Sequence, residues 1–319
     1  IIFTSTFCRI AGPIGLIDTP TSLKAHQGNI PTIGGPAMLA SLLTMGLFAG
    51  EGETKLLLIL YASIPLVFIG MLDDYKPQKI STRIVVQILA ATFVIVITES
   101  MIVRTGNEIV NQLLLQNSTL AIFITVIVTV ATINAFNFND GIDGLATMHG
   151  IALISGLFIL NYRYSSGTLD VNLQSYLPIL ACLSVFLAFN LGISIVPKCF
   201  LGDSGSTFLG FICASIIVEE SLSARSILPT SAGLILLFPS LMDTISTIYI
   251  RLKAKKNIFS GDRNHFHHAL IQNGLSQKLT LLVCTITVAI IQTGGAAVLA
   301  STQSIFGTIV FLVHAKLFS

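Results

Sequence analysis

Three groups of acidic and amide side chains interrupt a sequence that is otherwise strongly apolar. The stretch NAFNFNDGIDGLA (134–146) contains two aspartates and three asparagines, and FLGDSGSTFLG (200–210) contains Asp203. Asp73 and Asp74 form an adjacent pair at the foot of another apolar run. Oxygen donors of this kind suit Mg²⁺, which usually keeps substrate phosphates among its ligands. These residue types therefore predict a metal or phosphate site.

Four polar segments are each rich in glycine or hydroxyl groups and run into an apolar stretch. They are PTIGGPAM (31–38), KISTR (79–83), NDGIDGLA (139–146) and FLGDSGSTFLG (200–210). If each begins a helix on the same side of a membrane, their N-termini would present free N–H groups and positive dipole ends to an anion. Glycine would also let the backbone approach a phosphate closely. The alternative is that these residues only cap helices.

The acidic pair Asp73 and Asp74 in LDDYKP also has two interpretations. Adjacent carboxylates repel each other and are costly near lipid unless a cation pairs with them, which favours a Mg²⁺ or substrate-proton site. The alternative is a solvated helix end neutralised by Lys76 and Lys79.

A histidine-rich segment, GDRNHFHHAL (261–270), contains Arg263, His265, His267 and His268. On a helix, His265 and His268 would share a face that His267 would not. All three therefore converge only if the segment is irregular, or else only two of them act. No cysteine or HExxH pattern supports zinc, so binding of an anion by Arg263 and imidazole is favoured over a metal site. A solvated basic loop is the alternative.

The composition places these groups in a membrane protein. Of 319 residues, 53% are hydrophobic and 10% charged, with a mean hydropathy of +0.85. Soluble domains average about 25% charged residues. Long apolar runs indicate helices rather than a β-barrel. The net charge of +2 gives no reason to expect a nucleic-acid partner, and the five cysteines include no CxxC pair.

The apolar runs predict an all-α integral membrane protein, a polytopic bundle of about 10–11 transmembrane helices forming one domain over residues 1–319. The first predicted span is short, and we interpret it as truncated at its N-terminus. The predicted spans lie near 1–17, 35–50, 55–72, 83–98, 118–136, 145–160, 176–196, 206–218, 228–250, 279–295 and 304–318.

Basic residues are concentrated in alternate loops between these spans. One set of loops contains 11 of the 17 lysines and arginines, so the positive-inside rule makes that set cytoplasmic. The same set contains seven of the nine aspartates, including those in the segments above. The active-site loops are therefore predicted to be cytoplasmic.

Several motifs resemble, in order and spacing, those of the polyprenyl-phosphate N-acetylhexosamine-1-phosphate transferases, also called glycosyltransferase family 4. They are GLIDTPTSLKAHQGNIPTIGG, MLDD, NAFNFNDGIDGLA, NLGI with FLGDSGSTFLG, and DRNHFHH. Within that superfamily the chain is most similar to the bacterial branch that uses undecaprenyl phosphate and UDP-GlcNAc. The similarity extends from about residue 15 to 280.

The resemblance implies a reaction at the cytoplasmic face of the bacterial inner membrane. GlcNAc-1-phosphate would pass from UDP-GlcNAc to undecaprenyl phosphate, giving undecaprenyl-diphosphate-GlcNAc and UMP. Mg²⁺ would be required, with Mn²⁺ as a substitute. The product would begin O-antigen, enterobacterial common antigen or a related glycan. The lipid phosphate would attack directly, or an aspartate would first take the phosphosugar.

The resemblance also implies roles for individual residues. The catalytic residues would be Asp73, Asp74, Asp140 and Asp143. The metal ligands would be Asp203 and Asn137. The substrate-binding residues would be Lys24, Arg83, Arg263, His265, His267 and His268.

Other functions stay open at this stage. The same chemistry could use another UDP-N-acetylhexosamine or UDP-MurNAc-pentapeptide, although the sister branch that uses the latter typically has three consecutive histidines where this chain has His-Phe-His-His. CDP-alcohol phosphatidyltransferases need an Ala-Arg pair after the DG dipeptide, and NDGIDGLATMHG lacks it. A transporter would need acidic residues near mid-membrane, and only Asp243 lies within a predicted span. A homodimer is an alternative to a monomer.

Overall fold

The described part of the chain is mostly helical. A computed structural model describes residues 1–20, 28–48, 54–105, 107–164, 174–193, 196–222, 230–255 and 265–302. The helices in these ranges are α1 Ile2–Ile10, α2 Gly34–Phe48, α3 Thr54–Tyr75, α4 Ile80–Thr98, α5 Glu108–Gln116, α6 Ser118–Asn139, α7 Leu145–Tyr164, α8 Leu177–Asn190, α9 Gly202–Ile217, α10 Thr230–Lys253, α11 Phe266–Gln272 and α12 Gln277–Thr302.

A short strand pair and one isolated bridge connect the segment before α2 to a distant part of the sequence. Strands β1 (Ile17–Asp18) and β2 (Ile30–Pro31) pair antiparallel, with Ile17 opposite Pro31. The next residue, Thr32, forms an isolated parallel bridge with Phe200. The segment that precedes α2 is therefore held against the segment that precedes α9.

Within the described ranges, five helices are long and apolar enough to cross a membrane, which confirms the all-α, multi-pass class. They are Lys55–Tyr75, Ile80–Thr98, Ser118–Asn139, Leu145–Tyr162 and Ile235–Lys253. Shorter apolar helices lie at Gly34–Phe48, Leu177–Asn190 and Gln277–Gln292. The predicted last span, 304–318, lies outside the described residues.

Two predicted spans have wrong boundaries. The span predicted near 1–17 is instead the nine-residue helix α1, followed by turns and by β1. Proline and glycine in the GPIG sequence that follows α1 oppose a longer helix. The span predicted at 206–218 begins earlier, at Gly202, so that Asp203 lies in the first turn of α9.

Helix α9 forms the centre of the bundle, with every residue from Ser204 to Ile217 buried. The helices around it approach very closely because glycines face it. A methyl group on Gly34 would lie 2.8 Å from the Leu201 Cα, and one on Gly35 would lie 2.5 Å from the carbonyl carbon of Ser204. The glycines of PTIGGPAM therefore lie against the backbone at the start of α9. We predicted that these glycines approach a phosphate, but they serve close packing between helices instead.

The far end of α9 is also anchored. The helix continues as a π-helical turn over Val218–Leu222. In this turn Glu219 accepts hydrogen bonds from Lys55, in the first turn of α3, and from Ser100. A π-helical turn is less stable than a regular α-helical turn, and these side-chain contacts offset part of the difference.

Candidate active site

A cavity of about 820 Å³ lies at the end of the bundle where α7 and α9 begin. Its walls come from segments far apart in the sequence. The lining residues are Asp18, Ile30, Thr32, Asp74, Asn137, Asp140, Gly141, Ile142, Asp143, Asn190, Lys198, Phe200, Leu201, Gly202, Asp203 and Gln277. Six residues are predicted from the sequence to be catalytic or metal-binding. Five of them line this cavity: Asp74, Asn137, Asp140, Asp143 and Asp203.

Asp74 caps the N-terminus of α9. Its two carboxylate oxygens accept hydrogen bonds from the backbone N–H groups of Asp203, at 2.8 Å, and Ser204, at 3.2 Å. Gly202 has a φ of +72°, and a methyl group there would lie 2.7 Å from Asp74 Oδ2. A glycine is needed at this position both for the backbone conformation and for the approach of the carboxylate.

The N-terminus of α7 is satisfied in a similar way. Asn190, at the end of α8, accepts a hydrogen bond from Gly144 N–H at 2.6 Å and donates one to the Cys199 carbonyl at 3.0 Å. The N–H groups of Gly144, Asp203 and Ser204 are therefore not free to bind an anion, and the predicted anion site at these helix starts stays a prediction for the other N–H groups. Cations at the cavity are therefore the better candidates for binding an anion.

A chain of hydrogen bonds runs from the acidic pair to Asp203. Arg83 donates to Asp73 at 2.6 Å and to the side-chain oxygen of Asn137 at 3.1 Å. Asn137 in turn donates to Asp203 Oδ1 at 2.6 Å and to Ser206 at 2.9 Å. Arg83 therefore orients Asn137 so that its amide nitrogen faces Asp203.

Lysine in place of Arg83 is expected to lower turnover by about tenfold or more. A guanidinium reaches Asp73 and Asn137 together, whereas an ammonium is a point charge that cannot reproduce this fork. Loss of the second bond frees the Asn137 amide to rotate away from Asp203. Steady-state kinetics of the purified variant measure the effect.

The same Arg-to-Lys change at Arg9, an exposed residue in the last turn of α1, is the matched control. We expect it to leave the rate within about twofold of wild type. Equal rates for the two variants would contradict the orienting role of Arg83.

Negative charge accumulates on the cavity wall. Burial first, and then the neighbouring carboxylates of Asp203, Asp74 and Asp143, raise the pKa of Asp140 well above its ordinary value. Asp143 forms an ion pair with Lys198. Within the described lining, Lys198 is the single lysine or arginine facing five aspartates. An anionic ligand would be repelled by this wall unless a cation entered with it.

The donor set fits a Mg²⁺ ion that is completed by its substrate. Among the described residues no three carboxylate, histidine or cysteine side chains are arranged to hold a metal ion by themselves. Mg²⁺ is commonly bound through one or two carboxylates together with substrate phosphates and water. Asp203 and Asp140 are the carboxylates best suited to this arrangement, because both line the cavity and the charge of Asp203 acts on Asp140.

The three histidines lie close together because the segment that contains them is irregular, as their spacing required for all three to converge. His265 is extended, with φ −79° and ψ 155°, and α11 begins at the next residue. The ring centroid of His267 therefore lies 5.8 Å from that of His265 and 4.2 Å from that of His268. Burial, followed by the charge of His268, lowers the pKa of His267 to about 4, so its imidazole is neutral near pH 7.

Sequence reasoning missed part of the site. Lys198 pairs with Asp143 and lies 5.3 Å from the centroid of the Phe200 ring, and Asn190 caps α7. The signals available were a lone lysine shortly before FLGD and the asparagine of NLGI. Two predicted substrate-binding residues, Lys24 and Arg263, lie outside the described residues.

The chain is similar in sequence to a family of known proteins. A family model described as "Glycosyl transferase family 4" matches residues 56–220. The chain is 32% identical to the undecaprenyl-phosphate alpha-N-acetylglucosaminyl 1-phosphate transferase of Salmonella typhi, over 91% of this chain and 79% of that protein. Proteins of the same name from Haemophilus influenzae (33%; 90% and 80% covered) and Yersinia pestis (30%; 89% and 77%) are also similar. The chain therefore belongs to glycosyl transferase family 4.

Proposed function

We propose that the protein transfers GlcNAc-1-phosphate from UDP-GlcNAc to undecaprenyl phosphate in a Mg²⁺-dependent reaction. An oxygen of the lipid phosphate forms a bond to the sugar-bearing phosphorus, and the bond from that phosphorus to UMP breaks. The observation that carries the proposal is the cavity wall of five aspartates and one lysine in a multi-pass membrane protein of this family. The names of the relatives support the lipid acceptor and the sugar.

The size and charge of the cavity support a nucleotide-sugar as the donor. Ligand pockets usually measure about 300–1,000 Å³, and this cavity lies within that range. A diphosphate carries negative charge into a wall that is already acidic. Mg²⁺, when bound, would neutralise that charge and stabilise the transferred phosphoryl group, and Asp203 and Asp140 would hold it.

The chain's own residues supply positioning. Asp74 and Arg83 act through other groups: Asp74 fixes the start of α9, and Arg83 fixes the Asn137 amide beside Asp203. Lys198 lies beside Asp143 at the cavity wall, where its ammonium group can bind an anionic oxygen of the donor. Positioning of this kind is the main requirement of phosphoryl transfer, in which little covalent chemistry falls to the protein.

The charge distribution supports a cytoplasmic site in a bacterial inner membrane. Lys198 lines the cavity, Lys76 and Lys79 lie between α3 and α4, and Lys278 is next to the lining residue Gln277 at the start of α12. The positive-inside rule places such loops in the cytoplasm. UDP-sugars are cytoplasmic metabolites, which agrees with that orientation. The product would begin O-antigen, enterobacterial common antigen or a related envelope glycan.

Removal of divalent metal is expected to abolish UMP release. The purified protein in detergent is incubated with undecaprenyl phosphate and UDP-GlcNAc, with EDTA or with Mg²⁺, and UMP is quantified. We expect UMP only with the metal, restored by Mg²⁺ and in part by Mn²⁺, because five aspartates line the cavity in which we place the diphosphate. Undiminished release after exhaustive chelation would contradict the metal dependence.

The same assay separates the alternative donors. UDP-GalNAc and UDP-MurNAc-pentapeptide replace UDP-GlcNAc at equal concentration, and the lipid product is identified by mass spectrometry. We expect UDP-GlcNAc to give the highest kcat/KM. A higher value for either of the others would assign that donor instead, and no UMP from any of the three would refute the transferase.

A further inference from the structure

Asp243 is an acidic residue inside one of the long apolar helices, α10, at a distance in sequence from all the motifs above. A carboxylate in such a helix is costly unless it has partners. Its partners here are in α11: Asp243 Oδ2 lies 2.8 Å from His265 Nδ1, and Asp243 Oδ1 accepts a hydrogen bond from Phe266 N–H at 2.9 Å.

These two contacts cap α11 from another helix. His265 occupies the N-cap position of α11 but makes no side-chain cap bond of its own. Asp243 supplies the missing acceptor and thereby fixes both the backbone at Phe266 and the imidazole of His265. One turn further along α10, the Thr247 hydroxyl lies 3.3 Å from the same Nδ1 and donates to the Asp243 carbonyl.

The contact also selects the tautomer of His265. A carboxylate accepts hydrogen bonds and does not donate them, so the His265 nitrogen that faces Asp243 carries a proton. This requires the Nδ1–H form and leaves Nε2 of the neutral ring as an acceptor. The ring is buried, with a side-chain exposure of 6%, so the surroundings hold this orientation.

The position of His265 influences the cavity wall through His267. The two rings are nearly parallel, with an interplanar angle of 6°. His267 packs so closely on Gly141 that a methyl group there would lie 2.8 Å from its Cε1. Gly141 follows Asp140 on the wall. Displacement of the start of α11 would therefore move the group that packs against the Asp140–Asp143 turn.

We infer that Asp243 is a positioning residue for the reaction. It holds His265 with the proton on Nδ1 and places α11 so that His267 supports the turn that carries Asp140. This inference rests on the proposed function for its effect on catalysis, whereas the state of the His265 ring is independent of it.

The ring state is measured first, by NMR of protein labelled with ¹⁵N-histidine. The chain has six histidines, and the His265 signals are those lost in His265→Asn. In the wild type we expect His265 Nδ1 to be protonated at a pH where the ring is neutral. An unprotonated Nδ1 with a proton on Nε2 would overturn the inference, and this result needs no variant of Asp243.

The second measurement compares Asp243→Asn with Thr247→Val by NMR and kinetics. The amide at 243 can no longer accept from both His265 and Phe266, so we expect a changed His265 Nδ1 shift and a loss of about 10–100-fold in kcat/KM for UDP-GlcNAc. Thr247→Val removes only the weaker contact, and a loss below about threefold is expected. An unchanged His265 spectrum in folded Asp243→Asn would overturn the inference.

A double-mutant cycle separates positioning from general destabilisation. His265→Asn keeps a donor near the δ position but loses Nε2. If Asp243 acts through His265, the double variant Asp243→Asn/His265→Asn should be no slower than the slower single variant. Multiplied losses would overturn the inference. A wild-type enzyme that releases no UMP would instead refute the proposed function, and the ring measurement would still decide the role of Asp243.

Discussion

Asparagine in place of Asp203 is expected to reduce UMP release by roughly a thousandfold, or about 4 kcal/mol of transition-state stabilisation. The substitution keeps the size of the side chain and an oxygen that can still accept from Asn137. It removes the negative charge in the first turn of α9, where we place the metal. The rate should therefore fall while the fold is retained. Single-turnover measurements with UDP-GlcNAc test this.

Retention of the fold can be followed through the cysteines. The chain has no tryptophan, but Cys199, Cys213 and Cys284 are free and buried, so a thiol-reactive dye reports their exposure on heating. The carboxylate-to-amide control is Glu108→Gln, at the start of α5. We expect it to leave the rate unchanged. A rate for Asp203→Asn within tenfold of the control would remove Asp203 from the metal site.

Alanine in place of Gly35 is expected to destabilise the protein by about 3 kcal/mol or more, at the upper end of the usual cost of overpacking. The added methyl group would lie 2.5 Å from the carbonyl carbon and 2.7 Å from the carbonyl oxygen of Ser204. Both atoms belong to the backbone, so no change of rotamer relieves the clash. Because α9 must move, activity should fall together with the midpoint of thermal unfolding.

The same helix offers a matched control. A methyl group on Gly46, also in α2, would lie 2.5 Å from Cδ2 of Leu57, the far end of a side chain that can rotate. Alanine is favoured over glycine inside helices by about 1 kcal/mol, which offsets that adjustment. Gly46→Ala is therefore expected to be near neutral. Equal unfolding midpoints for the two variants would show that α2 and α9 separate without cost.

The sequence predicts where the polar segments lie because each combines helix-start residues with a following apolar run. All four predicted segments do begin helices, at Gly34, Ile80, Leu145 and Gly202. The positions of the carboxylates on a common cavity follow from the same pattern. The convergence of the histidines was open because it depends on the residue at which α11 begins, and helix boundaries are the least certain feature of a sequence pattern.

Partners across long sequence separations could not be predicted. The Asp74 contact with the start of α9 joins residues 129 positions apart, and Asn137 contacts Asp203 across 66 positions. Local patterns describe which groups need partners but not which distant group supplies them. For the same reason the glycines of PTIGGPAM resembled phosphate-binding residues, although their neighbour is the Ser204 backbone.

The paired ends of α3 and α9 have a consequence for the depth of the active site in the membrane. Lys55 at one end of α3 contacts Glu219, and Asp74 at the other end contacts the backbone of Asp203. The two helices run antiparallel and are joined at both ends, so neither can slide along the other without losing both contacts. One inserted residue in α3 would shift Asp74 by about 1.5 Å and rotate it by about 100°. Bilayer thickness can tilt the pair, but the distance along the bundle from Asp203 to the Lys55–Glu219 contact is set by helix length.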